Sequence, residues 1–191
     1  MAEDTEFSET NGDASAVPTA RMLAWAKNSA AYRLSKRMMT EKQLAEAISR
    51  KARQKFEDIT DEQVTALVRT AVQFGYDVKA LDDTTYAQVR TRSSQRVGKS
   101  RKAIRQTLVQ KGVAREIADE AVSDADDLRA AVIYARRRAF GPFRKVGVDE
   151  RQKAKELSAF ARQGFSYEIG NRIFAMDRDE ADELLLDGPM F

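Results

Sequence analysis

The sequence predicts an all-α protein, an elongated tandem array of three three-helix repeats, and three observations carry that expectation. A helix–glycine–helix pattern occurs twice: residues 108–122 read LVQKGVAREIADEAV and residues 160–174 read FARQGFSYEIGNRIF. In each copy a polar or basic residue precedes the glycine and an apolar one (Val113, Phe165) follows it, with Ile117 and Ile169 four residues later. Glycine just past a helix end takes the left-handed conformation without a Cβ penalty, and one offset kept across glycine and hydrophobes is the mark of an internal repeat. Breakers are scarce, with three prolines and nine glycines in 191 residues. Finally, apolar residues recur at three and four throughout, and no segment reads as a strand.

The elements follow in order. Residues 1–18 hold five acids, no base and no apolar period, which reads as a disordered acidic tail. Pro18-Thr19 introduces a helix with Met22, Leu23, Ala26, Ala30 and Leu34 on one face. Thr40 caps a second helix carrying Leu44, Ala45 and Ile48, with Phe56 or Ile59 closing its packing. Thr60 and Gln63 form a capping box for a third, with Val64, Leu67, Val68, Ala71 and Val72 in its stripe and Gly75 as its end. Leu81-Asp82-Asp83 opens a helix through Tyr86, Ala87 and Arg90, and Gly98 breaks the chain before the helix of Ile104 and Leu108. That helix ends at Gly112, and another runs from Ile117 to Val122.

Asp126-Asp127 suits a helix N-terminus, and Leu128, Ala131, Val132, Ala135 and Ala139 form the stripe behind it. Gly141-Pro142 ends this helix. Asp149 with Gln152 caps the next, which ends at Gly164, and Ser166 caps the last helix of the body. The repeats are therefore placed at 19–76, 81–125 and 126–176, followed by an acidic C-terminal tail over 177–191. Such short helices are marginal alone and must bury their stripes against one another. Phe56, Phe74, Phe140, Phe160, Phe165 and Phe174 fall at helix ends or inward positions and read as core, while Tyr86 and Tyr134 stay open between core and stacking.

Composition narrows the chemistry. The chain has no cysteine and no histidine, so disulfides, thiolate sites, a typical zinc site and a serine–histidine triad cannot be built. No glycine-rich phosphate loop is present. No apolar run approaches the length needed to cross a bilayer, and no signal peptide precedes the acidic start. The expectation is a cytoplasmic, monomeric protein with no catalytic residues, no metal and no cofactor.

Charge is segregated. Outside the two acidic tails the chain carries 32 basic against 19 acidic residues. Residues 84–115 hold nine bases and no acid, among them Arg90, Arg92, Arg96, Lys99, Arg101, Lys102 and Arg105. Arg129, Arg136, Arg137 and Arg138, then Arg144 and Lys145, form a second cluster. A solvated helix face normally intersperses acids for pairing one turn apart. Their exclusion here points to an anionic partner, a nucleic acid or an acidic filament. The candidate contact residues are Arg90 to Arg105 as named, with Arg136, Arg137 and Arg138.

These residues also resemble a known family. Phe74-Gly75-Tyr76 followed by Leu81-Asp82-Asp83 and Tyr86-Ala87, Arg105-Gln106-Thr107-Leu108 through Lys111-Gly112-Val113, Arg136-Arg137-Arg138-Ala139-Phe140-Gly141, and the stretch from Gln163 to Ile169 resemble the bacterial RecX regulatory proteins in order and spacing. The resemblance covers residues 21–176. It departs at Asp77-Val78-Lys79-Ala80, which lengthens the first junction, and at the additional-looking residues 49–59. It implies a non-enzymatic tandem-repeat protein that binds the RecA–single-stranded-DNA filament and inhibits strand exchange and ATP hydrolysis, with double-stranded DNA left open as a second ligand.

Two other readings compete on the residues alone. Residues 99–111 and 115–122 also fit a helix-turn-helix, which would make the chain a stand-alone DNA-binding protein. Asp82, Asp83, Asp124, Asp126 and Asp127 would serve a carboxylate enzyme, but acids at helix starts read as caps.

Overall fold

The structure is a computed structural model that describes residues 17–145, 147 and 149–186. Ten α-helices and no strand occur among these residues, as the apolar periods predict. The chain divides into two compact units, residues 1–81 and 82–191. The acidic segment before Val17 lies outside the described residues.

The first unit contains α1 (Ala20–Lys36), α2 (Glu41–Lys55) and α3 (Asp61–Asp77). Threonine begins all three. Thr19, Thr40 and Thr60 each accept a backbone N–H of the first turn, and at Thr40 and Thr60 the Gln43 and Gln63 side chains complete reciprocal boxes. Met22, Ala26, Ala30, Leu44, Ile48 and Leu67 meet in one buried cluster, against which Trp25, Phe56 and Ile59 pack. Trp25 meets Phe56 edge to face at 5.2 Å.

Gly75 requires a correction. It does not end α3: the helix continues to Asp77, and Lys79 takes the left-handed conformation at φ 54°. The Ala80 N–H donates to the Gly75 carbonyl at 2.9 Å and the Lys79 N–H to that of Tyr76, closing a Schellman turn. The lengthened junction at 77–80 is thus a helix terminus. Gly75 is small for another reason, since a Cβ there would stand 2.7 Å from Leu81 Cδ1 and 3.2 Å from Leu34 Cδ1.

The second unit holds α4 (Asp83–Gln95), α5 (Arg101–Gln110), α6 (Arg115–Val122), α7 (Asp127–Arg138), α8 (Glu150–Arg162), α9 (Tyr167–Ala175) and α10 (Arg178–Leu186), with a 3-10 turn at Gly141–Phe143. Tyr86, Ile104, Leu108, Val113, Ala118 and Val122 form one cluster. Val132, Phe143, Phe160, Phe165, Ile173 and Met176 belong to another. Tyr86 is buried, and Tyr134 packs at 5.3 Å against Phe160, so both tyrosines belong to the core.

The twin glycines behave as their spacing predicts. Gly112 (φ 97°) and Gly164 (φ 86°) are left-handed. Behind each, the N–H of Val113 or Phe165 reaches back to the carbonyl of Leu108 or Phe160 at 3.1 Å. The same closure ends α7, but there Ala139 supplies the left-handed residue at φ 53°. A Cβ in that conformation costs roughly 1 kcal/mol. Ala139→Gly is therefore expected to raise stability by about 0.5 kcal/mol after the added unfolded-state entropy is subtracted. Urea unfolding of the two proteins checks this, and a lower midpoint for Ala139→Gly would contradict the assigned strain.

Two further expectations change. Asp149 caps α8 through the Gln152 N–H at 2.7 Å, but the Gln152 side chain turns to Glu156 and no reciprocal box forms. Within 177–191, read as an acidic tail, α10 packs Ala181, Leu184 and Leu185 against the second cluster. Apolar residues at that spacing are the signal that the surrounding acids mask. The last five residues lie outside the described ones.

Candidate nucleic-acid interface

All ten candidate cations are exposed. Their local geometry differs. Arg90 and Arg92 stand on α4, and Arg96 is its C-terminal cap. Arg90 lies 5.4 Å over the Tyr86 ring. Lys99 occupies the turn that follows, while Arg101 and Lys102 start α5, whose first turn contains no acid. Cations there face the positive end of the helix dipole, which costs a few tenths of a kcal/mol and is relieved by a bound anion.

The fold joins the two basic clusters. Arg137, on the last turn of α7, donates from Nη1 to the Val97 carbonyl at 2.6 Å. Gly98, beside Val97, has φ 75°, and a Cβ on it would lie 2.7 Å from the Tyr134 nitrogen of α7. The Ser100 hydroxyl donates to the Gln163 carbonyl at 2.6 Å, and the Arg101 N–H to Asp127 Oδ1 at 2.6 Å. Residues 97–101 are thereby fastened to α7 and to the end of α8. Arg137 thereby reaches a turn 40 positions earlier in the chain, next in sequence to Arg96.

Not every cation is available. Arg105 pairs with Asp119, Arg101 Nη2 donates to the Ala125 carbonyl at 2.7 Å, and Arg138 lies 5.6 Å over the Phe140 ring. The side chains of Arg92, Lys99, Lys102 and Arg136 make no hydrogen bond, ion pair or ring contact among the described residues. Two arginines of the second cluster serve the core instead. Arg144 pairs with buried Glu156 through Nη2 at 2.7 Å, and half-buried Arg129 donates to the Leu185 carbonyl at 3.3 Å. Sequence reasoning had no means of separating them from solvent-facing neighbours.

The acids at the helix starts have structural partners. Asp82 accepts from the Thr85 hydroxyl at 2.6 Å and the Thr85 N–H at 2.9 Å. The hydroxyl bond first, then the N–H bond, hold its carboxyl below the usual carboxylate range. Asp126 accepts from the Arg129 N–H at 3.0 Å. No group of potential ligands among the described residues is arranged to hold a metal ion. Helix α6, which would be the reading helix of a helix-turn-helix, exposes Glu116, Asp119 and Glu120 beside Arg115. Carboxylates on that face repel phosphates. No helix among the described residues is long and apolar enough to cross a membrane.

Comparisons with known proteins agree with this architecture. Residues 82–122, spanning α4 to α6, match the family model described as RecX, second three-helix domain. The chain is 60% identical over 183 residues to the regulatory protein RecX of Agrobacterium fabrum, covering 95% of this chain and all of that protein. It is 37% identical over 115 residues to the regulatory protein RecX of Myxococcus xanthus, covering 58% of this chain and 59% of that one. A crystal structure of RecX from Lactobacillus salivarius superposes with a TM-score of 0.62 at 22% identity, over 86% of this chain and 99% of that one, and shares the fold. At 60% identity across the whole of the Agrobacterium fabrum protein, the chain belongs to the RecX family of regulatory proteins.

Proposed function

We propose that this chain is a non-catalytic modulator of the RecA recombinase. It binds the RecA–single-stranded-DNA filament as a cytoplasmic monomer and restrains strand exchange and filament ATP hydrolysis, and so regulates recombination and DNA repair. The observation that carries the reading is the exposed basic surface of the second unit, where Arg92, Lys99, Lys102 and Arg136 have no internal anion and Arg137 ties the two clusters together. Unneutralised cations on a folded surface repel one another. A polyanionic assembly relieves that repulsion and releases its own counterions.

Pull-down on RecA filaments, with and without DNA, tests the reading together with strand-exchange and ATPase assays. Wild-type protein leaving both activities unchanged at micromolar concentration overturns it. Arg136→Glu with Arg137→Glu is expected to weaken filament association by about tenfold or more, as loss of charge-assisted contacts of roughly 1.5 kcal/mol or greater requires. Circular dichroism should show the fold retained. Unchanged affinity at physiological salt would remove this surface from the contact. The exposed acids of α6 disfavour stand-alone reading of duplex DNA, and tight sequence-selective duplex binding without recombinase would restore that alternative.

A further inference from the structure

Tyr167, the first residue of α9, is 71% exposed. Among the described residues of the second unit the other aromatic rings serve the fold. Tyr86, Phe143, Phe160 and Phe165 are buried, and Tyr134, Phe140 and Phe174 pack on Phe160 at 5.3–6.3 Å. The ring and hydroxyl of Tyr167 make no hydrogen bond, ion pair or ring contact among the described residues. The start of a helix makes no demand for an aromatic side chain, since proline or an acid suits it better. Folding therefore leaves this ring unexplained.

The turn before α9 sets the ring beside cations. Gly164 lies so close to the start of α5 that a Cβ on it would meet Ser100 Oγ at 2.6 Å, Lys102 Cβ at 3.4 Å and the Ala103 nitrogen at 3.5 Å. The Ser100 hydroxyl fastens this contact by donating to the Gln163 carbonyl at 2.6 Å. Tyr167 follows Gly164 by three residues, so their Cα atoms stand no more than about 10 Å apart. Lys102 is exposed with no partner for its side chain, and so is Lys99, just before the α5 cap. Arg162, exposed on the last turn of α8, precedes Gly164 by two residues. Three cations and one unused ring thus share the junction of α5, α8 and α9. The first turn of α5 contains no acid. Glu168, next to the ring in sequence, lies about 100° further round α9 and does not cover it.

We propose that Tyr167 is a base-stacking residue for single-stranded DNA, with Lys102, Lys99 and Arg162 meeting the flanking phosphates. This deepens the functional reading above and rests on it, because it makes the DNA strand, and not the recombinase alone, a direct ligand of this chain. Charge complementarity selects a polyanion. The ring selects which one. Duplex DNA keeps its bases paired and stacked, so its surface offers the ring only sugar and phosphate. An acidic peptide satisfies the cations and leaves the ring without a flat partner. A single strand presents phosphates and unpaired π-faces together, which a basic track with an aromatic platform recognises. Every base has such a face, so the site reads strandedness and not sequence. The Ser100–Gln163 bond and the tight Gly164 turn hold ring and cations on a rigid support.

Fluorescence anisotropy of the full chain with labelled oligothymidylate, and with a duplex of the same length, tests the site. Tyr167→Ala is expected to weaken oligothymidylate binding about tenfold, the scale of one base stacked on an aromatic ring, and to leave duplex binding unchanged. Tyr167→Phe keeps the ring and should bind like the wild type. Lys102→Gln should lower the slope of log affinity against log salt by about 0.7, as loss of one single-strand phosphate contact does, whereas Tyr167→Ala should leave that slope alone. Both positions are exposed, so all three variants should unfold thermally with the wild type. The proposal is overturned if Tyr167→Ala binds oligothymidylate as tightly as the wild type, if Tyr167→Phe loses as much as Tyr167→Ala, or if duplex binding falls equally. Wild-type protein that binds filaments but not oligothymidylate overturns this site and leaves the functional reading standing. Ring-dependent oligothymidylate binding by a protein that leaves RecA filaments unaffected upholds the site and overturns the functional reading.

Discussion

Gly98→Ala is expected to destabilise the second unit by about 3 kcal/mol, combining a left-handed Cβ penalty of roughly 1 kcal/mol with the displacement of packed backbone. Gly98 sits at φ 75°, and an added Cβ would stand 2.7 Å from the Tyr134 nitrogen and 2.9 Å from the Ala130 carbonyl oxygen. A flexible side chain could swing aside, but these atoms are the backbone of α7. The substitution therefore forces the turn after α4 away from α7. The Arg137–Val97 bond at 2.6 Å and the Ser100–Gln163 bond at 2.6 Å depend on that approach. Native-state hydrogen exchange should show faster exchange across α4 to α7, with α1 to α3 affected less. A variant within about 0.5 kcal/mol of the parent, the ordinary range for surface substitutions, would refute the close approach. Loss of the turn geometry should also weaken anionic-ligand binding, because the turn carries Lys99 and anchors Arg137.

Glu156→Ala is the second large effect. Glu156 is buried at 2% exposure on α8. Its carboxylate accepts from Arg144 Nε at 3.1 Å and Nη2 at 2.7 Å, and from the Gly141 N–H at 3.4 Å. The segment leaving α7 is thus held to α8 by one side chain. Arg144 also lies 5.2 Å over the Phe174 ring. Removing one partner of a buried pair typically costs 3–5 kcal/mol, because the other charge stays desolvated. Arg144 keeps 20% of its side chain exposed and can recover some hydration. The expected loss is therefore about 2–3 kcal/mol, or roughly 5–10 °C in Tm for a chain of this size. Thermal unfolding measures it. The double variant Arg144→Met with Glu156→Leu should recover much of the loss, since an apolar pair leaves no stranded charge. If Glu156→Ala melts with the wild type, the pair contributes nothing to the fold.

Much of this protein was legible locally. A threonine before an amphipathic run and a glutamine three residues on need only their own neighbours to form a box, and Thr60 with Gln63 does so as predicted. Gly112 and Gly164 were identified for the same reason, since a left-handed helix end is decided within about six residues. Gly75 shows the limit of that grammar. Its smallness serves Leu81 and Leu34, which reach it only after the chain has folded back. Lys79 and Ala139 show the converse, taking left-handed ends without glycine although both are exposed, where the helix-end bonds from Ala80 and Phe140 close the turn. The acids around Ala181, Leu184 and Leu185 concealed α10, because composition averages over a segment while burial selects one stripe.

The candidate site divides along the same line. By itself the sequence determined the helical class, the caps, the paired glycine turns and the existence of a basic stretch free of acids. These follow from short-range hydrogen bonding, steric preference and charge counting. Only the tertiary structure decided which cations face solvent. It withdrew Arg144 into a buried pair, tied Arg129 to α10 and brought Arg137 to the Val97 turn. Those outcomes depend on contacts between residues far apart in the chain, and a buried charge differs from an exposed one only through the neighbours that desolvate it.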